Sequence, residues 1–282
     1  MLWNNGKSDV FIPDQQPLEK ALERTTHLAV GAHQDDIEIM AYHGIAECFG
    51  RDDKWFTGVV VTDGGGSPRT GLYKEFNDDE MKKIRITEQR KAAFVGEYAA
   101  QIQLGYPSAV VKSNSGSAVV DDLLSILEKT TPQILYLHNP ADKHDTHVAT
   151  LCRCVEAVRR MEKERRPKKI YGCEVWRGLD WLPDEDKVPL PTDSYLNVAA
   201  AVVSVFDSQI SGGKRYDLAS AGRRLANATY FESHATDQFA SVTWAVDLLP
   251  LVDNGDSVAE YMRKFVRKME EDIVTRIGKF QR

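Results

Sequence analysis

Apolar positions along the chain fall into short continuous runs that alternate with segments of helical periodicity. "THLAVGAH" (26–33) reads as a buried strand, followed by a helix from about Glu38 to Phe49. "WFTGVVVTDGGG" (55–66) is a second strand ending in glycines, and "DDEMKKIRITEQRKAAFVGEY" (78–98) is a long helix opened by acidic residues. The series continues with "AAQIQLGY" (99–106), a helix over "VVDDLLSILEKT" (119–130) and the strand "QILYLHNP" (133–140). A helix over "THVATLCRCVEAVRRMEKE" (146–164) and the strand "KKIYGCEVW" (168–176) complete it. Unbroken Val, Ile and Leu in the strands, interleaved with helices, predict an α/β fold: a doubly wound, mostly parallel, Rossmann-like sheet with helices on both faces. The final segment, 258–280, places Met262, Phe265, Val266, Met269, Ile273 and Ile277 at helical spacing. It is expected as a C-terminal helical extension whose stripe closes the core, a subunit contact being the alternative. With no Pro/Gly/Ser-rich linker and no internal repeat, the chain reads as an N-terminal arm (1–25) and a single domain (26–282).

Composition narrows the function. A chain of 282 residues, 42% hydrophobic, can bury a sizeable core. Its net charge of −6 argues against a nucleic-acid partner, and the one basic run, "RRMEKERRPKK" (159–169), is broken by Glu162 and Glu164 and reads as a solvated helix end. The four cysteines show no CxxC spacing, so free thiols in a reducing compartment are expected. No signal sequence and no apolar run long enough for a membrane span are seen, and the expected location is cytoplasmic.

Open parallel sheets bind ligands at the carboxyl ends of their strands. Three informative stretches fall there: His33 with Asp35 and Asp36, Asp63 with the glycines after it, and "HNPADKHDTH" (138–147). His33 and Asp36 lie three positions apart in a turn, and His144 and His147 have the same spacing at a helix start, where both share a face. Two histidines and a carboxylate are a common catalytic zinc set with one position left open. Against this, Asp35 and Asp36 could be helix-capping acids, and HxxH is a short pattern. Two such clusters, each directly after a strand of one parallel sheet, favour a metal site without naming its reaction.

"AHQDDIEI" (32–39) resembles the AHPDD signature of the PIG-L/LmbE-like zinc N-deacetylases, and "DKHDTH" (142–147) is similar to that family's second, HPDH-type motif. "RITEQRKAA" (85–93) and "KRYDLASAGRRLANATYFESHATD" (214–237) resemble two further family segments, so the likeness runs over about residues 26–237. It implies that His33, Asp36 and His147 bind Zn2+ or another divalent transition metal. It further implies that Asp35 is the general base and that His144 stabilises the oxyanion. Arg85 would lie near the sugar, a surface cation paired with Glu88 or Glu80 being the plainer reading, and His234 would contact substrate. The loop "TDGGGSPRTG" (62–71) offers Arg69 and backbone amides to a polar ligand, Trp176 and Trp181 either wall a sugar pocket or fill core, and His43 reads as helix packing. The sequence departs from the family at Gln34, which stands for a proline, and at Asp145 and Thr146, so the role of orienting His144 passes to Asp142 or Asp145, or is lost.

The function implied is a metal-dependent hydrolase removing the acetyl group from an N-acetylated amino sugar or its conjugate, a small-molecule N-acetylglucosamine-type substrate. The alternatives are an amidase acting on an amino-sugar thiol conjugate and a non-catalytic sugar-binding protein that keeps the fold. A metallophosphoesterase would need more carboxylates than one His/Asp/His set supplies. A homo-oligomer is compatible with the C-terminal stripe.

Overall fold

Every residue of His27–Gly31 and Phe56–Thr62 is buried, which requires cover on both faces of these strands. The structure, a computed structural model, describes residues 3–113 and 116–281. Its strands are β1 (Asp9–Phe11), β2 (His27–Gly31), β3 (Phe56–Thr62), β4 (Ala100–Tyr106), β5 (Ile134–His138), β6 (Lys169–Cys173), β7 (Val188–Pro191) and β8 (Val242–Asp247). They form one sheet in the order β1-β4-β3-β2-β5-β6-β8-β7. The five central strands run parallel, while β1 at one edge and β8 and β7 at the other are antiparallel additions.

The helices in chain order are α1 (Leu18–Glu23), α2 (Asp36–Met40), α3 (Tyr42–Cys48), α4 (Asp78–Val95), α5 (Ser108–Lys112) and α6 (Ser117–Thr130). After β5 come α7 (Asp145–Arg160), α8 (Leu196–Ser204), α9 (Asp207–Ile210), α10 (Tyr216–Thr229), α11 (Leu249–Asn254) and α12 (Val258–Gly278). Alternate strand residues feed two cores, as a period of two demands. Leu28 and Val30 of β2 join residues of α1, α6, α7 and α11 on one face, and Ala29 joins α2, α3 and α8 on the other. The expected doubly wound α/β architecture is therefore present.

β2 has β3 on one side and β5 on the other, so the chain winds outward from β2 in both directions. The crevice at such a reversal lies outside the carboxyl ends of the two strands, here where His33–Asp36 follows β2 and His138–His147 follows β5.

Three elements differ from the sequence reading. The N-terminal segment pairs as β1 on β4 and buries Trp3, so it builds one edge of the sheet. The opposite edge, β7, carries Pro189 and Pro191, whose missing N–H groups hide a strand signal and are tolerated at an edge. The stripe of α12 closes the core only over its first turns. Met262 is buried and Phe265 half-buried, whereas Val266, Ile273 and Ile277 are 52%, 44% and 54% exposed. Among the described residues, no helix is long and apolar enough to cross a membrane.

Candidate metal centre and active site

The turn after β2 is built for close approach. A Cβ on Gly31 would meet the Asp36 Cβ and the Ile37 Cγ1 at 3.1 Å, so the strand's last residue must be small. Asp35 then takes a left-handed conformation, φ +82°, unusual for a residue with a side chain. That reversal starts α2 at Asp36 and returns its carboxylate to the strand end, where Oδ2 accepts the His33 backbone N–H at 2.7 Å. Backbone strain of this kind persists where surrounding contacts enforce it.

Three donor atoms converge there. His33 Nδ1 lies 3.3 Å from Asp36 Oδ2 and 3.2 Å from His147 Nε2, and His147 Nε2 lies 3.3 Å from Asp36 Oδ2. This near-equilateral triangle has edges of the length expected, about 3.3 Å, for ligands 2.0–2.1 Å from a tetrahedral centre. His147 and Asp36 are buried, and burial pushes the His147 ring down to about 4, so it is unprotonated near neutral pH, as ligation requires. Burial alone would raise Asp36, but the imidazoles of His147, His138 and His33 hold it well below the usual carboxylate range. The donor set therefore fits a divalent metal. His144 stands beside this triangle, its ring centroid 4.9 Å from that of His33 and 4.5 Å from that of His147. Burial, then His33, lowers its pKa, and its Nδ1 is buried without a partner.

Asp142, one of the two acids considered for orienting His144, bonds the His147 ring instead. Its Oδ2 is 3.3 Å from His147 Nδ1 and accepts from Trp176 N at 3.1 Å, while Oδ1 accepts the backbone N–H of His144 at 3.0 Å. This fixes His147 with Nε2 facing the other donors. Asp145 is exposed at the start of α7 and forms no part of the cluster.

Asp35 sits next to the metal set but points to α4. Arg85 donates to its Oδ2 at 2.9 Å and also to the Gln34 carbonyl, and lies 3.5 Å from Glu88. Burial raises Asp35 to about 6, with Arg85 opposing. Arg85 is 1% exposed, so it is not a surface cation; it belongs to the wall of the site. Glu88 is in turn held by the backbone N–H and hydroxyl of Ser208, both at 2.7 Å.

These groups open into a cavity of about 460 Å³ whose wall includes His33, Asp35, Asp36, Arg85 and His144, with Trp176 and Tyr216 as its aromatic side. Arg69 does not reach it: the guanidinium bonds the Phe76 carbonyl at 3.0 Å and also Gly65 and Asp78, closing its own loop. His234 is exposed and does not line the cavity, nor does Trp181. His43 bonds the Tyr136 hydroxyl at 2.9 Å inside the packed helix face.

Sequence reasoning did not single out His138. It is fully buried at the end of β5, accepts the Ala32 N–H at 2.9 Å and stacks on His147 with centroids 3.9 Å apart. Its Nε2 lies 3.4 Å from Asp36 Oδ2, which joins the ends of β2 and β5 across the crevice. A histidine ending a strand of the same sheet was the available signal. Burial also pushes Glu38 of α2 up to about 7, and it accepts from Tyr98 and Gln89, both at 2.8 Å.

Residues 28–158 match the PIG-L family model, described as GlcNAc-PI de-N-acetylase, a span from β2 to the end of α7 that contains both histidine clusters. No curated protein matches the chain in sequence. Among solved structures, the conserved protein TT1542 of Thermus thermophilus superposes with TM-score 0.62 at 17% identity, covering 80% of this chain and 95% of that one. GalB, the 4-carboxy-2-hydroxymuconate hydratase of Pseudomonas putida, gives 0.62 at 15%, covering 80% and 97%. The N,N'-diacetylchitobiose deacetylase of Pyrococcus horikoshii gives 0.60 at 16%, covering 80% and 85%. At such identities the likeness concerns the fold.

Proposed function

We propose that this chain, whose residues 28–158 match the PIG-L family model, is a metal-dependent hydrolase that removes the acetyl group from an N-acetylated amino sugar or its conjugate. The observation that carries the reading is the triangle of His33, Asp36 and His147 with Asp35 beside it, opening into one cavity. A divalent cation held there supplies Lewis acidity, polarising a carbonyl and making water acidic enough to react near neutral pH.

The chain's own groups supply the rest. Asp35 accepts the proton that the attacking water loses as its oxygen bonds the amide carbon. It returns that proton to the amine nitrogen as the C–N bond breaks. Arg85 keeps Asp35 in place. His144, beside the metal set in the cavity wall, donates to the carbonyl oxygen. Trp176 and Tyr216 offer the apolar faces on which a sugar ring stacks.

The test is metal content by elemental analysis, with amine release from a panel of N-acetylglucosamine derivatives, for wild type and Asp35→Asn. About one metal per chain in both proteins, with amine released by wild type alone, is the expected result. A metal-loaded wild type that releases no amine from any of them would overturn the deacetylase reading.

A further inference from the structure

Behind Trp176 and Tyr216 a side chamber of about 130 Å³ adjoins the main cavity, and Ile39, Val175, Trp176 and Tyr216 line both. The rest of its wall is mixed: Ala219, Ser220, Arg223 and Arg224 of α10, with Glu174 and Thr243. Arg224 is 6% exposed, and its Nη2 donates to the carbonyls of Glu38 at 2.8 Å and Ile39 at 3.0 Å. Its Nε is buried without a partner, and among the described residues its Nη1 makes no hydrogen bond. Arg223 gives Nη1 to the Val175 carbonyl and leaves Nε and Nη2 unused among the described residues.

Glu174, the acid in this wall, does not bond either guanidinium. Its oxygens accept the Trp244 N–H at 3.0 Å, the Leu179 N–H at 2.9 Å and the side chain of Asn227. Burying a cation without a bonded anion is unfavourable, and burial pulls Arg224 down to about 10. The fold keeps two arginines with spare donors at one small chamber next to the hydrolytic centre.

The geometry points to this chamber as a subsite for a small carboxylate. A guanidinium fork matches two carboxylate oxygens, and the volume admits a few water-sized groups, enough for acetate. The subsite rests on the hydrolase reading only for the origin of the anion. Either the acetate released by the reaction or a carboxylate carried by the substrate would satisfy it.

The test is calorimetric titration of the full-length chain with sodium acetate at constant ionic strength, before and after chelation of metal. Saturable binding that survives chelation, and that weakens about tenfold in Arg223→Gln, is the expected result. Arg224→Lys, which keeps the charge and removes the fork, should weaken it similarly and guards against misfolding of more drastic changes. No saturable binding after chelation, equal affinity for chloride, or unchanged affinity in both variants would overturn the assignment. Acetate that competes against N-acetylmuramic acid, which bears a carboxylate, but not against N-acetylglucosamine assigns the site to the substrate; equal inhibition of both assigns it to the product. Because the titration needs no turnover, an inactive protein that binds acetate refutes the hydrolase alone, and an active one that does not bind refutes the subsite alone.

Discussion

Arg85 of α4 donates to Asp35 at 2.9 Å, and both residues are largely buried in the wall of the cavity. The same guanidinium bonds the Gln34 carbonyl, so one cation holds both the acid and the strained turn that carries it. Removing one partner of a buried pair leaves an uncompensated charge. Arg85→Gln should cost about 3 kcal/mol of stability and lower kcat at least about tenfold. Its metal content should equal that of wild type. Denaturant melts, steady-state kinetics and elemental analysis check the three parts, and loss of metal would show that Arg85 supports the ligands rather than the acid.

Asp142 does not line the cavity, yet it holds the His147 ring through Nδ1. Outer partners of ligating histidines typically change metal affinity by about 10–100-fold. Asp142→Asn should therefore weaken metal binding by about that factor, read by competition with a chromophoric chelator. Asp145→Asn, at an exposed position, should leave affinity unchanged.

The ring of His27, buried against Tyr136, is pushed from 6.5 down to about 4, chiefly by burial and then by Lys54. Between those values the unfolded chain binds a proton that the folded chain refuses. Stability from this group is thus fully present above pH 6.5 and is lost as pH falls towards 4, a change of up to about 3 kcal/mol. His27→Phe keeps the ring contact and removes the titration, so its melting temperature should fall less than that of wild type between pH 7 and pH 4.5. Parallel curves would refute this.

Trp244 is 1% exposed in the core between β8 and its helix layer, whereas Ile277 on α12 is 54% exposed. Trp244→Ala should cost about 3–5 kcal/mol. Ile277→Glu should change stability by no more than about 0.5 kcal/mol. Both are readable by urea melts on dilute protein, and a large loss at Ile277 would mean that the far end of α12 is covered in solution.

Much of the fold was readable because the parallel strands advertise themselves. Val59, Val60 and Val61 form an unbroken buried run, and such runs alternate with helices. β7 was not readable, since Pro189 and Pro191 argue locally against a strand that only its edge position allows. Periodicity marked the stripe of α12 but carries no information on what lies opposite it. At the site, spacing brought His33, Asp36, His144 and His147 together because each pair is local in sequence. His138 depends on where β5 lies beside β2, and the Trp176 contact of Asp142 on where β6 lies beside β5; both are tertiary information. Arg69 and His234 sit in segments with polar composition suited to a ligand, but Arg69 is consumed by its own loop and His234 faces solvent.

Both margins of the eight-stranded sheet are poor templates for strand addition. One is the three-residue β1; the other is β7, where two of four residues have no N–H to offer. An exposed sheet edge invites a second chain to continue the hydrogen-bond ladder, and short or proline-bearing margins deny it that register. The α/β core is thereby guarded against edge-to-edge polymerisation by its own outer strands, even though its five central strands are among the most β-prone sequences in the chain.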